Sequence, residues 1–269
     1  MSSHGDATER AKAIRYQTLL GAVIRKRLLL LVRYPVNTLS QLVTIYALFA
    51  IVFFGGGAVA GPALADSLDG IIVGFFLFTL AIAAFSGLSW DITREAQWGT
   101  LEQLFMSPYG FGRVVATKVV VNVFEGFLWG AVVLVLMLLT TGRTLSFDVL
   151  TVVVLGVLTV ASAVGVGFVF GGLAILYKRI ENAFQLVQFA FIGLIAAPAS
   201  GVGWLNALPL VQGSRMLQVA MQEGVALWQF PAGDLGLLVG TAVVYAGAGY
   251  YLFQRAQRRA RRRGVLGHY

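Results

Sequence analysis

The sequence predicts an all-α integral membrane protein with six transmembrane helices. Three observations lead to this fold class. Charged residues make up only 12% of the chain, about half the roughly 25% typical of a soluble domain. The mean hydropathy is +0.81. The apolar residues fall in six runs, most of them close to the roughly 20 residues that cross a bilayer as a helix.

Residues 1–34 are predicted to be a cytoplasmic tail and an amphipathic helix that lies along the membrane surface. Between Ala7 and Tyr34 the apolar residues recur at helical spacing, with basic residues mixed around them. Such basic side chains reach anionic headgroups from an interfacial helix. Arg27 falls on the apolar side and weakens the amphipathic pattern. A solvated basic lead-in therefore stays open as the alternative.

Residues 35–254 are predicted to form a single membrane domain. Pro35 separates it from the first helix, because the residue before a proline disfavours the α conformation. The six apolar runs are residues 36–55, 71–90, 114–139, 149–176, 183–197 and 235–253. Small residues in the fourth run permit close approach of helix backbones. They are Ala161, Gly165, Gly167 and Gly171.

Residues 199–234, between the fifth and sixth runs, are too apolar for an exposed loop. They include large side chains such as Trp204, Leu217 and Trp228. Irregular backbone is not stable in contact with lipid, so this segment must pack against protein or lie at the interface. We expect a pair of short helices here that is either re-entrant or interfacial, and apolar content alone does not separate the two.

The positions of Lys and Arg predict the orientation in the membrane. Of 20 such residues, 18 lie before the first run, after the second, after the fourth or after the sixth. Only Arg143 and Arg215 lie on the other side. The positive-inside rule therefore places both termini in the cytoplasm. Residues 255–269 are predicted to be a basic cytoplasmic tail that binds membrane lipids rather than nucleic acid.

A polar island, residues 93–108, separates the second and third apolar runs. Gly99 and Thr100 can begin a short helix in it, and Glu102 falls in the first turn, where a carboxylate is favoured by the helix dipole. Pro108 then ends this helix. We therefore expect a short helix in water, held between two spans.

The island contains the arrangement E-x-x-x-G-T-L-E-Q-L-x-x-S-P, followed by Lys118 at the start of the third run. This closely resembles the cytoplasmic loop of type-2 ABC transporter permeases, the membrane subunits of ABC exporters. The resemblance implies a coupling helix that docks on a separate ATPase subunit. The matching residues are Glu95, Gly99, Thr100, Leu101, Glu102, Gln103, Leu104, Ser107 and Pro108. An ordinary amphipathic loop helix is the alternative.

The same resemblance implies the other parts of the complex. ATP and Mg²⁺ would be bound by the partner ATPase, and a second permease copy or a paralogue would complete the transporter. The turn that contains Lys178, Arg179 and Glu181 would make a second, smaller ATPase contact. A topology signal alone is an equally good explanation of that turn.

Glu125 is a carboxylate inside the third apolar run. A charged group at the bilayer centre costs roughly 2.5 to 3.5 kcal/mol, so Glu125 is expected to face protein or water. It either lines the translocation path or pairs with another helix, or it lies close enough to the cytoplasmic interface to be hydrated. Lys118 lies on the same helical face but two turns away, too far to be a close partner.

Several kinds of chemistry are excluded by the residues present. No P-loop motif G-x-x-x-x-G-K-[ST] occurs, so no P-loop for ATP is expected in this chain. There is no cysteine, and the two histidines, His4 and His268, lie in the tails. Together with these absences, the resemblance implies a non-enzymatic exporter subunit of the cytoplasmic membrane, without a cofactor of its own, that works by alternating access. A membrane-embedded enzyme or assembly factor without an ATPase partner is the alternative.

Overall fold

The computed structural model describes residues 3–55, 68–98, 100, 103–104, 106–177, 180–200 and 202–262. Within these residues the protein is helical and contains no β-strand. The α-helices are α1 (Ser3–Arg33), α2 (Pro35–Ala50), α3 (Leu68–Gln97), α4 (Phe111–Thr141), α5 (Val149–Tyr177), α6 (Glu181–Ala196), α7 (Val211–Glu223) and α8 (Ala232–Arg262). A π-helical turn continues α2 over Ile51–Gly55, and short 3₁₀ turns lie at Ala197–Ser200, Gly203–Ala207 and Leu227–Gln229.

Five segments among the described residues are long and apolar enough to cross a membrane. They are Thr38–Gly55, Leu68–Glu95, Phe111–Thr141, Val149–Tyr177 and Ala232–Arg262. The all-α fold is therefore confirmed, and the five apolar helices are compatible with a multi-pass membrane protein. The predicted fifth span corresponds to α6, which has 16 residues. At 1.5 Å per residue α6 is about 24 Å long, less than the roughly 30 Å of a hydrocarbon core. The count of six spans thus stays a prediction.

Helices α3 and α8, which correspond to the second and sixth apolar runs, continue beyond the ends of those runs. We expected the second span to end at Trp90, but α3 continues to Gln97 and carries the first part of the polar island. No glycine or proline interrupts the chain between Trp90 and Trp98, and Arg94 pairs with Asp91 one turn earlier at 2.7 Å. Hydropathy predicts where a helix leaves the apolar region, whereas helix-breaking residues such as glycine and proline decide where the helix ends.

Helices α3 and α5 form the centre of the bundle. Phe85 of α3 is fully buried and contacts three rings edge to face, those of Phe170 on α5 and of Phe184 and Phe191 on α6. The ring centroids lie 5.5 to 5.9 Å from that of Phe85. Such arrangements add to the free energy of burial. The aromatic cluster therefore holds the short helix α6 against the two central helices.

Helices α5 and α8 cross with their backbones in direct contact. A Cβ atom at Gly165 would lie 2.2 Å from the carbonyl oxygen of Tyr245, and one at Gly249 would lie 2.1 Å from the carbonyl oxygen of Gly165. No side chain larger than a hydrogen fits at either position. The predicted close approach of backbones is therefore confirmed at Gly165, and it fixes the place where α8 packs.

Helix α7 rises from the middle of the bundle to one of its ends. Its first residues lie beside the middle of α5, where the amide of Leu210 donates to Ser162 Oγ at 3.1 Å. Its last residues lie at the α4–α5 connection, where the amide of Ser146 donates to the carbonyl of Met221 at 2.8 Å. The backbone at Leu210 has a positive φ of 70°. The segment that we expected to pack against protein thus does so at this point.

The two ends of the bundle differ in their charged residues. The basic end contains the last turns of α3, the first turn of α4 and the last turns of α8, where Phe111 and Phe253 stack at 5.8 Å. The opposite end contains the α4–α5 connection and the first turn of α3, where Arg143 lies 3.5 Å from Asp69. The polar island therefore lies at the basic end.

Candidate functional site

A cluster of charged side chains joins α3 and α4 at the basic end. Lys118 Nζ of α4 lies 3.5 Å from Glu95 Oε1 and 3.8 Å from Asp91 Oδ2, both on α3. All three side chains are largely buried. Lys26 of α1 lies 4.0 Å from the same oxygen of Glu95 but is mostly exposed. Partly buried charges require such pairing, because the desolvation of an unpaired ion is costly.

Glu95 also holds the polar island against the end of α3. Thr100 Oγ1 donates to Glu95 Oε2, and the amide of Thr100 donates to the carbonyl of Glu95 at 3.1 Å. The amides of Gln103 and Leu104 donate to the carbonyl of Thr100 at 3.1 and 3.3 Å. A helical turn therefore begins at Thr100, one of the two positions that we expected. Gly99, Leu101 and Glu102 lie outside the described residues.

The island returns to the bundle through a tight turn. The amide of Gly110 donates to the carbonyl of Ser107 at 2.9 Å, and the amide of Tyr109 lies 3.4 Å from Ser107 Oγ. Gly110 has a φ of 79°, a conformation that favours glycine. Pro108 is exposed and precedes this turn. The chain thus enters α4 within two residues of the turn.

Among the described residues of the island, one large apolar side chain packs against the bundle and two are exposed. Leu104 is half-buried and packs against the core of the bundle. Trp98 and Met106 are 69% and 75% exposed. The residues that carry the family resemblance include Leu101 and Leu104 but neither Trp98 nor Met106. Their signal was available, because both are large apolar residues in a polar segment.

Glu125 is paired across helices. Arg27 Nε of α1 donates to Glu125 Oε2 at 2.5 Å, and Trp129 Nε1, one turn further along α4, donates to Glu125 Oε1 at 3.2 Å. This contact explains why Arg27 lies on the apolar side of α1, since that side faces α4. Lys118 instead pairs with α3. The geometry is that of an interhelical ion pair at the edge of the bundle.

The turn between α5 and α6 lies beside the end of α3. Glu181 is the first residue of α6. Its Oε1 accepts a hydrogen bond from Gln97 Nε2 of α3 at 2.5 Å. Lys178 and Arg179 lie outside the described residues. The tertiary structure therefore brings together the polar island and the second segment that the family resemblance assigns to an ATPase contact.

Neither the described residues nor the comparisons with known proteins assign a function directly. Among the residues that the structure describes, no group of three or more His, Cys, Asp or Glu side chains is placed to hold a metal ion. The chain matches no family model, no curated protein and no solved structure. The function is therefore inferred from the residues and their arrangement.

Proposed function

We propose that this chain is the permease subunit of an ABC-type exporter. It moves a substrate across the cytoplasmic membrane by alternating access, driven by ATP hydrolysis in a separate subunit. The observation that carries the proposal is the island of residues 93–108. Its family-like sequence is hydrogen-bonded to α3 at Glu95, and Glu95 is paired with Lys118 of α4. A force on the island therefore acts on two membrane-length helices together.

The exposed side chains of the island support docking of a partner. Trp98 and Met106 lie at the two ends of the short turn and contribute large apolar surface. Large aromatic residues and methionine are enriched in protein interfaces, and exposed apolar surface at a water-facing loop marks interaction sites. The neighbouring Glu181 adds the second, smaller contact that the resemblance implies. The ATPase would therefore cover the island and the α5–α6 turn together.

The distribution of charge supports the placement of the ATPase in the cytoplasm. The basic end contains Arg94, Arg113 and Lys118, together with the arginines of the last turns of α8. By the positive-inside rule this end faces the cytoplasm, with both termini on that side. ATP and Mg²⁺ would be held by the ATPase partner, and a second permease copy or a paralogue would complete the transporter.

The course of α7 supports a re-entrant element between the last two spans. The beginning of α7 lies beside Ser162, 13 residues after the first residue of α5, which corresponds to a depth of about 20 Å along that helix. Gln212 and Ser214 are buried there, and Ser214 Oγ donates to the carbonyl of Ile195 at 2.7 Å. The bonds of Leu210 to Ser162 and of Ser214 to Ile195 satisfy polar groups that lipid alone would leave unpaired.

The proposal is tested by co-purification. The tagged chain is expressed together with the ABC ATPase subunits encoded near it, extracted in mild detergent and isolated through its tag. We expect an ATPase subunit to be retained and the complex to hydrolyse ATP. The same ATPase expressed with an unrelated tagged membrane protein is the control. Absence of a retained ATPase would favour a membrane-embedded enzyme or assembly factor instead.

A further inference from the structure

A turn between α6 and α7 is anchored in the middle of the apolar region. This turn, residues 202–207, includes the 3₁₀ helix Gly203–Ala207 and is called the re-entrant turn below. The carbonyl of Ala207 accepts a hydrogen bond from Tyr245 Oη of α8 at 3.3 Å. Tyr245 lies about 15 Å along the helix from the start of the sixth apolar run, residues 235–253, and about 12 Å from its end. The turn is therefore fixed far from both surfaces of a bilayer that covers this run.

The residue that begins α7 gives the same depth independently. The amide of Leu210 donates to Ser162 Oγ at 3.1 Å, and Ser162 is at the centre of the fourth apolar run, residues 149–176. A 3₁₀ helix rises about 2 Å per residue, so Gly203 lies within about 8 Å of Ala207. The 3₁₀ helix of the re-entrant turn thus lies inside the hydrocarbon core.

The re-entrant turn is open on one side in spite of this depth. Trp204 and Val202 are 70% and 43% exposed, and a Cβ atom at Gly203 would meet no atom within 4 Å. The ends of a helical turn leave backbone N–H and C=O groups without partners inside the turn. Irregular backbone at this depth is stable only where protein covers it or where it lines a water-filled cavity. A single chain therefore leaves this surface incomplete.

Asn206 adds a polar side chain to the re-entrant turn. It is half-buried, and its amide group makes no hydrogen bond with any residue that the structure describes. Lipid tails offer neither a donor nor an acceptor, whereas Asn side chains hydrogen-bond between neighbouring protein segments within membranes. The amide carries both donors and an acceptor, so it can pair with an identical amide. Asn206 is therefore complementary to Asn206 of a second copy.

The composition of the re-entrant turn favours protein over water as its cover. Residues 202–207 contain no charged side chain, and the largest exposed side chain is that of Trp204. Tryptophan is enriched in protein interfaces. Most oligomers of identical chains have a twofold axis, which brings the same residues of two copies together. A second copy of this chain thus supplies both the apolar contact and the amide partner.

We propose that the re-entrant turn is a contact surface between two copies of this chain. Asn206 of each copy hydrogen-bonds to Asn206 of the other, and Trp204 packs against the second copy. The proposal rests on the proposed function only in its need for a second permease copy. Both experiments below use the chain without an ATPase, so a failure here leaves the co-purification test unaffected.

The first experiment is disulfide cross-linking of Asn206→Cys in membranes that contain the full chain. The chain has no cysteine of its own, so a disulfide can form only between copies. After oxidation with copper phenanthroline, we expect a dimer that is resolved on a non-reducing gel and lost on reduction. Leu128→Cys is the control, because Leu128 is 50% exposed and lies near the middle of the third apolar run. The dimer fraction should be at least about tenfold higher for Asn206→Cys, since a disulfide requires Cα atoms within about 7 Å.

Three results of this experiment would overturn the proposal. Equal dimer fractions in the two variants would show random collision. The absence of a dimer for Asn206→Cys would show that a second copy does not cover the turn. Labelling of Asn206→Cys by a membrane-impermeant maleimide, without cross-linking, would show that the turn lines a water-filled cavity.

The second experiment measures the strength of the contact with two matched tryptophans. Trp204 and Trp228 are 70% and 73% exposed, but only Trp204 belongs to the re-entrant turn. Energy transfer between copies labelled at the C-terminus is followed in phosphatidylethanolamine–phosphatidylglycerol vesicles at decreasing protein-to-lipid ratios. We expect Trp204→Ala to weaken association by about tenfold and Trp228→Ala to leave it unchanged. If the two variants associate equally, the turn is not the contact and the proposal is wrong.

Discussion

At the scale of single residues, the pair between Arg27 and Glu125 decides where α1 lies. An arginine on the apolar side of an interfacial helix would be unfavourable in lipid, whereas here it meets the carboxylate of α4 at 2.5 Å. Trp129 satisfies the second carboxylate oxygen. The pair therefore connects the first helix to the bundle and removes the cost of two isolated charges at the same time.

The energy of this pair is measurable as a coupling between two substitutions. We expect Arg27→Gln and Glu125→Gln each to lower the melting temperature of the purified chain, since each leaves one partly buried partner without its opposite charge. The double variant should lose less stability than the sum of the two single variants, by about 1 kcal/mol or more. Thermal unfolding in detergent checks this result. Strictly additive losses would show that the two charges do not interact.

The contact between α5 and α8 supplies a second prediction for single residues. Gly249→Ala places a methyl group 2.1 Å from a backbone oxygen of Gly165, so the helices must separate. We expect a loss of about 1 to 3 kcal/mol in the free energy of unfolding. Gly247→Ala, two residues earlier on the same helix, is the control, because no atom lies within 4 Å of its Cβ position. The contact is contradicted if the two variants unfold at the same temperature.

At the scale of elements, one side of the polar island contacts the bundle and the other side is exposed. Glu95 and Leu104 face the bundle, whereas Trp98 and Met106 face away from it. A short loop with few contacts of its own is not expected to be stable alone. Its inner contacts keep its outer surface in one place, which is a requirement for a docking surface.

The division between inner and outer side chains predicts opposite effects of substitution. Trp98→Ala together with Met106→Ala should weaken retention of the ATPase by about tenfold or more, since truncation of interface anchors typically costs about 2 kcal/mol each. The melting temperature of the isolated permease should stay unchanged. Leu104→Ala should instead lower that melting temperature, because Leu104 packs against the core. Both effects are read from co-purification and thermal unfolding of the same preparations.

A matched control comes from the opposite end of the bundle. Phe147→Ala removes a large apolar side chain that is 52% exposed but lies in the α4–α5 connection. Retention of the ATPase should be unaffected by it. Equal loss of retention in Phe147→Ala and in the island variant would show a general effect of surface hydrophobicity and would remove the docking assignment.

At the scale of the whole molecule, the bundle has a basic end and an opposite end that carries few basic residues. The absence of cysteine from the sequence makes the orientation directly measurable, because each introduced thiol is unique. Thr144→Cys lies at the opposite end and Met106→Cys at the basic end, and both positions are exposed. We expect a membrane-impermeant maleimide to label Thr144→Cys in intact cells and Met106→Cys only after permeabilisation. Labelling of Met106→Cys in intact cells would place the island on the wrong side for any cytoplasmic ATPase.

The class of the protein and the position of the island follow from the sequence by itself. Hydropathy along the chain is a local property, and so is the order of apolar runs and basic segments. Hydropathy is therefore sufficient to predict an all-α membrane protein and the polar segment between the second and third runs. Of the six spans that it predicts, five correspond to membrane-length helices. The start of a turn at Thr100 is equally local, since it depends on neighbouring residues.

Tertiary structure alone decided which side chains meet. Glu125 lies 98 positions from Arg27 and Gln97 lies 84 positions from Glu181, and no local pattern joins such pairs. The inward position of Leu104 and the outward position of Trp98 depend on how α3 and the island pack against the bundle. Helical periodicity specifies a face of each helix, but the partner of that face is chosen by the packing of the whole chain.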